Sequence, residues 1–349
     1  MSPGSRPSSD VIVLFGGSSS ERRVSVASAP HVLGLLPGAR AGFESPAGEV
    51  FSVGPGGLDA FERPFENDFG PPPPPRWAGV AAALDSAEAR GQVFLLGYHG
   101  TFGEDGAVQT LLEARGLAFT GSGSLASARA FDKSEAKRLV RAAGVACAEQ
   151  ALLPRADERA CAEALNELVR RHGRAVAKPV AGGSSVGLYH VRRRADVDAA
   201  ARAIAASPDA YLAEEFLAGR ELTVGVVQSA EGLRALPCSE VRLDEGFAFD
   251  FAGKYLGKGT TEITPAELEP QLSSAAQQLA LTAHRALGCE GYTRTDLILT
   301  ARGPVYLETN TLPGLTRRSF IPQQLAAEGT AIAAFLQGQL ALARARRDR

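Results

Sequence analysis

The stretch that decides the fold is Lys178-Pro-Val-Ala-Gly-Gly-Ser-Ser-Val-Gly187, near the middle of a chain of 349 residues. Apolar runs at 175–179 and 189–191 flank it, so we predict a strand, a flexible loop and a second strand. The glycines allow successive backbone N–H groups to surround a phosphate, while the serines add hydroxyl donors and Lys178 adds a positive charge. The loop lacks the GK[ST] ending of a Walker A motif. An ordinary Gly/Ser turn has the same pattern, so the rest of the chain must decide between the two.

Strands and helices alternate in the first third of the chain. An apolar run at 11–15 stops at two glycines and precedes a predicted helix at 21–36. A second apolar run at 93–96 precedes a polar, glycine-rich loop at 99–106 and a predicted helix at 107–115. This alternation is typical of a parallel α/β sheet, whose ligands bind at the carboxyl ends of the strands.

Two short polar patterns lie on neighbouring strands predicted in the last third. They are Arg294-Thr-Asp296 and Glu308-Thr-Asn310. Alternate residues of a strand project from the same face, so each pattern presents a pair of polar side chains together. Two carboxylates and an amide oxygen are ligands suited to Mg²⁺, and an arginine beside them can stabilise charge developing on oxygen. A pair of antiparallel strands joined by salt bridges is the alternative interpretation.

A third pattern, Glu214-Glu-Phe-Leu-Ala-Gly-Arg-Glu221, joins a predicted strand at 211–216 to a tight turn. We predict that the strand delivers Glu214 and the turn delivers Glu221. Such a hinge can offer backbone groups to an adenine edge and a carboxylate to ribose hydroxyls; the alternative is ordinary surface charge. The order of phosphate loop, hinge acids and metal residues is more specific than any one of them.

Composition excludes several classes of protein. With 37 basic and 39 acidic side chains, a net charge of -2 gives no nucleic-acid footprint. The apolar share of 45% excludes whole-chain disorder, and roughly 100–200 residues per domain predicts two or three domains. The four cysteines are too scattered for a disulfide framework or zinc site. Without a membrane segment or signal peptide we expect a cytoplasmic protein, and the basic tail at 344–349 is predicted as a solvated end.

Taken together, these motifs resemble those of the D-alanine–D-alanine ligases, in the ATP-grasp superfamily, from residue 11 to about 329. The segments that carry the resemblance are Leu14 to Ser25, His99 to Gly106, Gly121 to Ser127, Phe131 to Lys133, Lys178 to Gly187, Glu214 to Val224, Lys254-Tyr255 and Glu308 to Thr316. The resemblance implies an α/β (α+β) chain with a three-domain ATP-grasp fold. These domains are a parallel-sheet preATP-grasp domain at 1–125, a central domain with the phosphate loop at 126–215, and a C-terminal domain with the lid and metal site at 216–349.

The resemblance also implies which residues bind the nucleotide and its metals. Nucleotide contacts would come from Lys133, Lys178, Ser185, Glu214 and Glu221. The ligands of two Mg²⁺ or Mn²⁺ ions would be Asp296, Glu308 and Asn310. The two lysines would contact phosphates, whereas the two glutamates would contact the adenine and the ribose.

Further residues are implied for two D-alanine substrates. Glu21, linked by hydrogen bonds to Ser184 and Tyr255, would orient the first ammonium group, and His99 would lie near the first carboxylate. Arg294 and the Gly314 N–H would stabilise oxyanions. Lys254 and Ser319 would bind the carboxylate of the second substrate.

The implied activity is ATP-dependent ligation of two D-alanines through an acyl phosphate, for peptidoglycan precursor synthesis, by a homodimer with no nucleic-acid or membrane partner. A lid corresponding to 247–261 would exclude water. Several positions depart from the family pattern, namely Arg23, Phe251, Ala252, Thr309, Arg317 and Arg318. The last two precede Ser319, beside the proposed carboxylate of the second substrate, and leave the identity of that substrate open. The alternative is therefore a paralogous ligase joining a different D-amino acid or hydroxy acid.

Overall fold

The computed structural model describes residues 9–71, 74–183, 186–243 and 259–347. Its strands form three separate sheets, one in each third of the chain. The strands are β1 Val11–Gly16, β2 Arg40–Glu44, β3 Val50–Val53, β4 Val93–Leu96, β5 Ala118–Phe119, β6 Gln150–Leu152, β7 Ala175–Pro179, β8 Tyr189–Val191, β9 Tyr211–Glu215, β10 Arg220–Ser229, β11 Gly232–Ala235, β12 Ser239–Leu243, β13 Thr260–Ile263, β14 Tyr292–Thr300 and β15 Gly303–Asn310.

The helices cover these sheets. They are α1 Arg22–Leu35, α2 Pro55–Asp59, α3 Val80–Asp85, α4 Ala107–Glu113, α5 Ser124–Phe131, α6 Lys133–Ala142, α7 Glu158–His172, α8 Arg194–Ala205, α9 Pro270–Leu287, α10 Phe320–Ala327 and α11 Ile332–Arg347. Among the residues described, no helix is long and apolar enough to cross a membrane.

The first sheet has the order β3-β2-β1-β4-β5. Its four strands β2, β1, β4 and β5 are parallel, as predicted, while β3 pairs with β2 in the antiparallel direction. The sharp turn after β1 requires glycine, because Gly16 has a φ of +98° and a Cβ there would lie 2.3 Å from the Glu44 carbonyl oxygen. The turn directs the chain into α1 at the carboxyl end of the sheet.

The second sheet, β6-β9-β7-β8, is antiparallel throughout. Helices α7 and α8 bury apolar side chains against it, including Leu165, Leu168 and Val197. The predicted strands on both sides of the glycine loop are β7 and β8, so the loop connects two paired strands.

The third sheet has the order β13-β12-β10-β14-β15, with β11 beside β10. In the register of β14 and β15, Arg294 lies opposite Asn310 and Asp296 opposite Glu308. Helix α9 packs on this sheet, and buried residues of α5 and α6, such as Ala130 and Val140, share its core. The boundary between domains near residue 126 stays a prediction.

Helix α11 returns the chain to the first sheet, where Leu336 and Leu340 pack in the core that contains β1. The prediction of a solvated basic tail is wrong for two of its arginines. Arg344 forms a salt bridge with Asp10 at 2.7 Å. Arg346 donates to the backbone oxygens of Phe119 and Gly121 and to Glu290, which joins the first and third sheets.

Candidate active site

Two adjacent cavities lie where the three sheets meet. The larger one, of about 1020 Å³, lies between the second and third sheets. The smaller one is lined by loops of the first sheet and by the end of β15. Both cavities are lined by Lys133, Gly182, Gly183 and Glu308. The predicted nucleotide and metal residues therefore meet the predicted amino-acid residues at one place.

The larger cavity has a buried network of charges at one wall. Glu214, on β9, forms salt bridges with Lys137 and with Lys178, the second at 2.8 Å. The Lys137 side chain is fully buried. Charged side chains are buried only when they are paired, so this triad holds Lys178 and Glu214 in fixed positions. Lys137 was not predicted as a site residue. The available signal was its spacing of four residues from Lys133, which places both lysines on one face of a helix.

Glu221 also lines the larger cavity. It lies on β10, opposite Val241 and Ile298, and the prediction that a tight turn delivers it is wrong because β10 begins one residue earlier. Arg220 donates to the buried Glu240 at 2.6 Å, and this hydrogen bond is the main reason that the pKa of Glu240 is lowered. The strand therefore brings Glu221 to the cavity while its neighbour is anchored on β12.

Lys133 connects the glycine loop with the end of β15. Its backbone N–H donates to Val180 at 2.9 Å, and its Nζ donates to the Gly182 oxygen. Its Nζ also lies 3.5 Å from Glu308 Oε2. This position suits a lysine that contacts a phosphate held by the loop. The predicted phosphate-loop residues Ser184 and Ser185 lie outside the described residues.

Asp296 is the centre of the predicted metal site. It accepts hydrogen bonds from Thr223 at 2.6 Å, from Arg294 at 2.8 and 2.9 Å, and from Asn310 at 3.2 Å. The strands are antiparallel, but the Arg294–Asp296 salt bridge lies within β14, and the bond that joins β14 to β15 is the one from Asn310. Asp296 lines the larger cavity, Asn310 lines the smaller one, and Glu308 lines both. The described residues contain no cluster of three or more His, Cys, Asp or Glu that could bind a metal. Two carboxylates and one amide fit Mg²⁺ when substrate phosphates supply the other ligands.

Glu21, between β1 and α1, lies where the first sheet meets the glycine loop. A Cβ at Gly183 would lie 2.9 Å from Glu21 Oε2, and a Cβ at Gly100 would lie 3.0 Å from it. The first distance is shorter than real Cβ contacts and the second is shorter than most of them, so the two glycines allow two loops to close around one carboxylate. The structure thus brings Glu21 to the smaller cavity.

His99 and Glu104 are buried beside each other on one loop, and both have shifted pKa values. Burial, and then the charge of Arg294, lowers the pKa of His99 to about 4, so its imidazole is neutral at neutral pH. Burial, and then repulsion from Glu21, raises the pKa of Glu104 to about 7. Glu104 accepts from the backbone N–H groups of Gly100 at 2.9 Å and Leu312 at 3.2 Å. It was not predicted, although it lies in the 99–106 motif.

Ser319 caps the N-terminus of α10 and lies near Gly314. Its Oγ accepts from the Thr316 N–H at 3.1 Å. A Cβ at Gly314 would lie 2.8 Å from Ser319 Oγ and 4.0 Å from His99 Cε1. The structure therefore brings these three predicted residues together.

The positions that depart from the family pattern lie in different surroundings. Arg317 and Arg318 are exposed, Thr309 is buried, and Arg23 donates to Asp68 at 3.1 Å. Lys254, Tyr255, Phe251, Ala252 and most of the predicted lid lie outside the described residues.

Comparisons with known proteins agree over nearly the whole chain. Residues 139–340 match the family model of the D-ala D-ala ligase C-terminus. A D-alanine–D-alanine ligase of Leptospira interrogans is 34% identical over 338 residues, which cover 91% of this chain and 93% of that protein. The D-alanine–D-alanine ligase structure from Coxiella burnetii has a TM-score of 0.79 at 25% identity and covers 97% of this chain and 94% of its own. The VanG D-Ala:D-Ser ligase from Enterococcus faecalis has a TM-score of 0.78 at 26% identity, covering 95% and 98%. The ATP-grasp fold predicted from the motifs is confirmed.

Proposed function

The chain belongs to the D-alanine–D-alanine ligase family, and on that premise we propose that its two adjacent cavities join two D-alanines while ATP is cleaved to ADP and phosphate. The observation that carries the proposal is that the cavities share Lys133 and Glu308. A nucleotide in the larger cavity would present its terminal phosphate at this junction, and an amino acid in the smaller cavity would present its carboxylate to it.

The first step activates a carboxylate, which is a poor electrophile. Transfer of the terminal phosphoryl group of ATP converts the first D-alanine into an acyl phosphate. Such transfer depends mainly on positioning and on neutralising charge. Lys133 and Lys178 would contact the phosphates, Ser185 would add a donor, and Glu214 and Glu221 would bind the adenine and ribose.

Divalent metal ions would complete the nucleotide site. Asp296, Glu308 and Asn310 would hold two Mg²⁺ or Mn²⁺ ions together with the phosphates, since their oxygens are the ligands these ions prefer. The bound ions would neutralise negative charge on the phosphates. Lys133, 3.5 Å from Glu308, would act on the same phosphate from the other side.

The first D-alanine would bind in the smaller cavity. Glu21 would orient its ammonium group, and the family resemblance adds Ser184 and Tyr255 as hydrogen-bond partners of Glu21. His99 would lie near its carboxylate. The lowered pKa keeps the His99 imidazole neutral, so it adds no charge beside that carboxylate.

In the second step, the free amine of the second D-alanine attacks the acyl phosphate carbon. A tetrahedral oxyanion forms, and it then expels phosphate to give the peptide bond. Arg294 and the Gly314 N–H would stabilise the oxyanion, while Ser319 and Lys254 would bind the second carboxylate. Water must be kept out during the life of the acyl phosphate, and the segment at 247–261 would serve as the lid.

The same family membership supports a role in peptidoglycan precursor synthesis. We also propose a cytoplasmic homodimer that acts on small molecules and has no nucleic-acid or membrane partner. Three domains, at 1–125, 126–215 and 216–349, would carry the site, with a distinct sheet in each.

Product analysis of the purified protein tests the proposal. We expect ATP, Mg²⁺ and D-alanine to give D-alanyl-D-alanine, ADP and phosphate in equal amounts, measured by mass spectrometry and phosphate release. L-alanine should give no release, and D-serine or D-lactate as second substrate should react less efficiently than D-alanine. Preference for D-serine or D-lactate would favour the paralogous ligase, and the absence of D-alanine-dependent phosphate release would contradict the proposal.

A further inference from the structure

Helix α10, which Ser319 caps, carries two successive glutamines, Gln323 and Gln324, that bind different strands of the third sheet. The motifs in the sequence gave no role to either of them. Their side-chain amides connect the first turn of α10 with the strands beneath it.

Gln324 fixes the body of the helix. It is fully buried, its Nε2 donates to the Thr223 oxygen and to Ser239 Oγ at 3.0 Å each, and its Oε1 accepts from the Gly225 N–H at 2.9 Å. A Cβ at Gly225 would lie 2.6 Å from Gln324 Oε1. The close approach therefore requires glycine on β10, and it ties α10 to the strand whose Thr223 holds Asp296.

Gln323 makes a different set of contacts, directed at the backbone just before the cap. Its Nε2 donates to the Arg318 carbonyl oxygen at 2.6 Å and to Glu262 Oε2 at 2.8 Å. Its Oε1 accepts from Thr264 Oγ1 at 3.1 Å. One amide thus connects the residue that precedes Ser319 with the end of β13.

The Glu262 carboxylate is the other anchor of this connection. It lies on β13, opposite Val241 on β12, so the sheet fixes its backbone. Desolvation raises its pKa, whereas the hydrogen bond from Gln323 and the charges of Arg318 and Arg294 act in the opposite direction. The carboxylate therefore lies close enough to Arg318, which precedes Ser319, and to Arg294, the predicted oxyanion donor, to be affected by their charges.

We propose that Gln323 is a positioning residue for the second amino acid, because its bridge between the Arg318 carbonyl and the Glu262 carboxylate holds the Ser319 hydroxyl in place. The inference rests on the proposed role of Ser319 as a ligand of the second carboxylate. Gln323 itself touches no substrate in this scheme. Its loss would leave the Arg318 carbonyl and Glu262 without their shared donor, and the loop at 316–319 would sample other positions.

Gln323→Leu tests this role because leucine has a similar size and no amide. We expect the KM for the second D-alanine to rise about tenfold, the effect of losing one charge-assisted hydrogen bond of about 1.4 kcal/mol. The KM for ATP and the D-alanine-dependent positional isotope exchange within ATP, which requires only the first amino acid, should change less than about twofold. Gln278→Leu, an exposed glutamine on α9, is the matched control and should leave every constant unchanged.

Glu262→Gln gives an independent variant that leaves α10 intact, in case Gln323→Leu lowers the thermal midpoint more than its control does. This variant should also raise the KM for the second D-alanine. The double variant should change that KM by less than the two single effects combined. The inference would be overturned if the isotope exchange changed as much as the KM for the second D-alanine. It would also be overturned if that KM were unchanged in both single variants. An inactive wild-type protein would instead contradict the proposed function, so the two failures are distinguishable.

Discussion

The two cavities differ in how far apart in sequence their essential contacts are. In the larger cavity, the buried pair of Lys137 and Glu214 is separated by 77 positions and joins α6 to a neighbouring sheet. In the smaller cavity, Glu104 binds the backbone of Leu312 across 208 positions. The larger cavity depends on the contact of two adjacent parts of the chain, whereas the smaller one forms only when the first and last sheets are docked.

The cavities also differ in their charge. In the larger cavity, Glu214 forms salt bridges with two lysines, so the charges in this wall are paired before any nucleotide binds. In the smaller cavity, burial and then repulsion from Glu21 raise the pKa of Glu104, and the imidazole of His99 is neutral. The Glu21 carboxylate there suits a substrate that brings its own ammonium group.

Replacing Lys137 with methionine should give the largest effect and would test the first half of the comparison. Breaking a buried ion pair costs about 3–5 kcal/mol, and we expect the lower end because Glu214 keeps Lys178 as a partner. Urea unfolding measures the loss of stability. Arg138→Met, on the exposed face of the same helix, should give little change. If both variants lose the same stability, the buried network does not stabilise the larger cavity.

Replacing Arg294 with alanine should strongly reduce turnover, and it should also lower stability because Asp296 loses a largely buried salt-bridge partner. Loss of an oxyanion donor lowers kcat by about 10²–10³-fold, while the KM for ATP should change little because Arg294 lies on the side of the smaller cavity. Phosphate release at saturating substrates measures this. Arg302→Ala removes an exposed arginine near the same hairpin and should be fully active. Unchanged turnover in Arg294→Ala would refute its proposed role.

The larger cavity could be predicted from sequence because its residues lie in local patterns. Lys178 and the glycine loop follow one strand, and Glu214 ends another, so hydrophobic periodicity was enough to place them. Lys137 was missed because a lysine on a helix is normally exposed, and its burial is revealed only by the salt bridge with Glu214 on β9. The faces of β14 and β15 also followed from strand periodicity.

The smaller cavity was predicted less completely. Its motif at 99–106 was found, but nothing local in the sequence indicates that Glu104 reaches Leu312. Residues 121–124 have a Gly-Ser pattern, yet α5 begins at Ser124, where Glu113 accepts from the backbone N–H at 2.8 Å. The Gly-Ser pattern is typical of a linker, and the cap comes from a separate helix, so this start depends on tertiary contact.

Replacing Glu104 with glutamine should give the smallest effect, and the pH dependence of stability should identify it. The pKa of Glu104 is about 7 in the folded protein against 4.5 for an ordinary glutamate. Between these values the folded state binds more protons than the unfolded state, so this group lowers stability as pH rises from about 5 to 8. Glutamine cannot ionise, but its amide keeps only one of the two acceptor oxygens, so the variant should be less stable than the wild type near pH 5 by about 1 kcal/mol. This deficit should shrink as pH rises to 8, because only the wild type loses stability by ionising Glu104.

The difference between the two proteins must be measured, because other groups also titrate in this range. The pKa of Glu44 is raised to about 6 and that of His99 is lowered to about 4, but both groups are common to the wild type and the variant. Glu113→Gln is the matched control, since this exposed glutamate also accepts a backbone N–H across two helices. A constant difference from pH 5 to 8, or the same pH dependence in the control, would mean that docking of the first and last sheets leaves Glu104 hydrated.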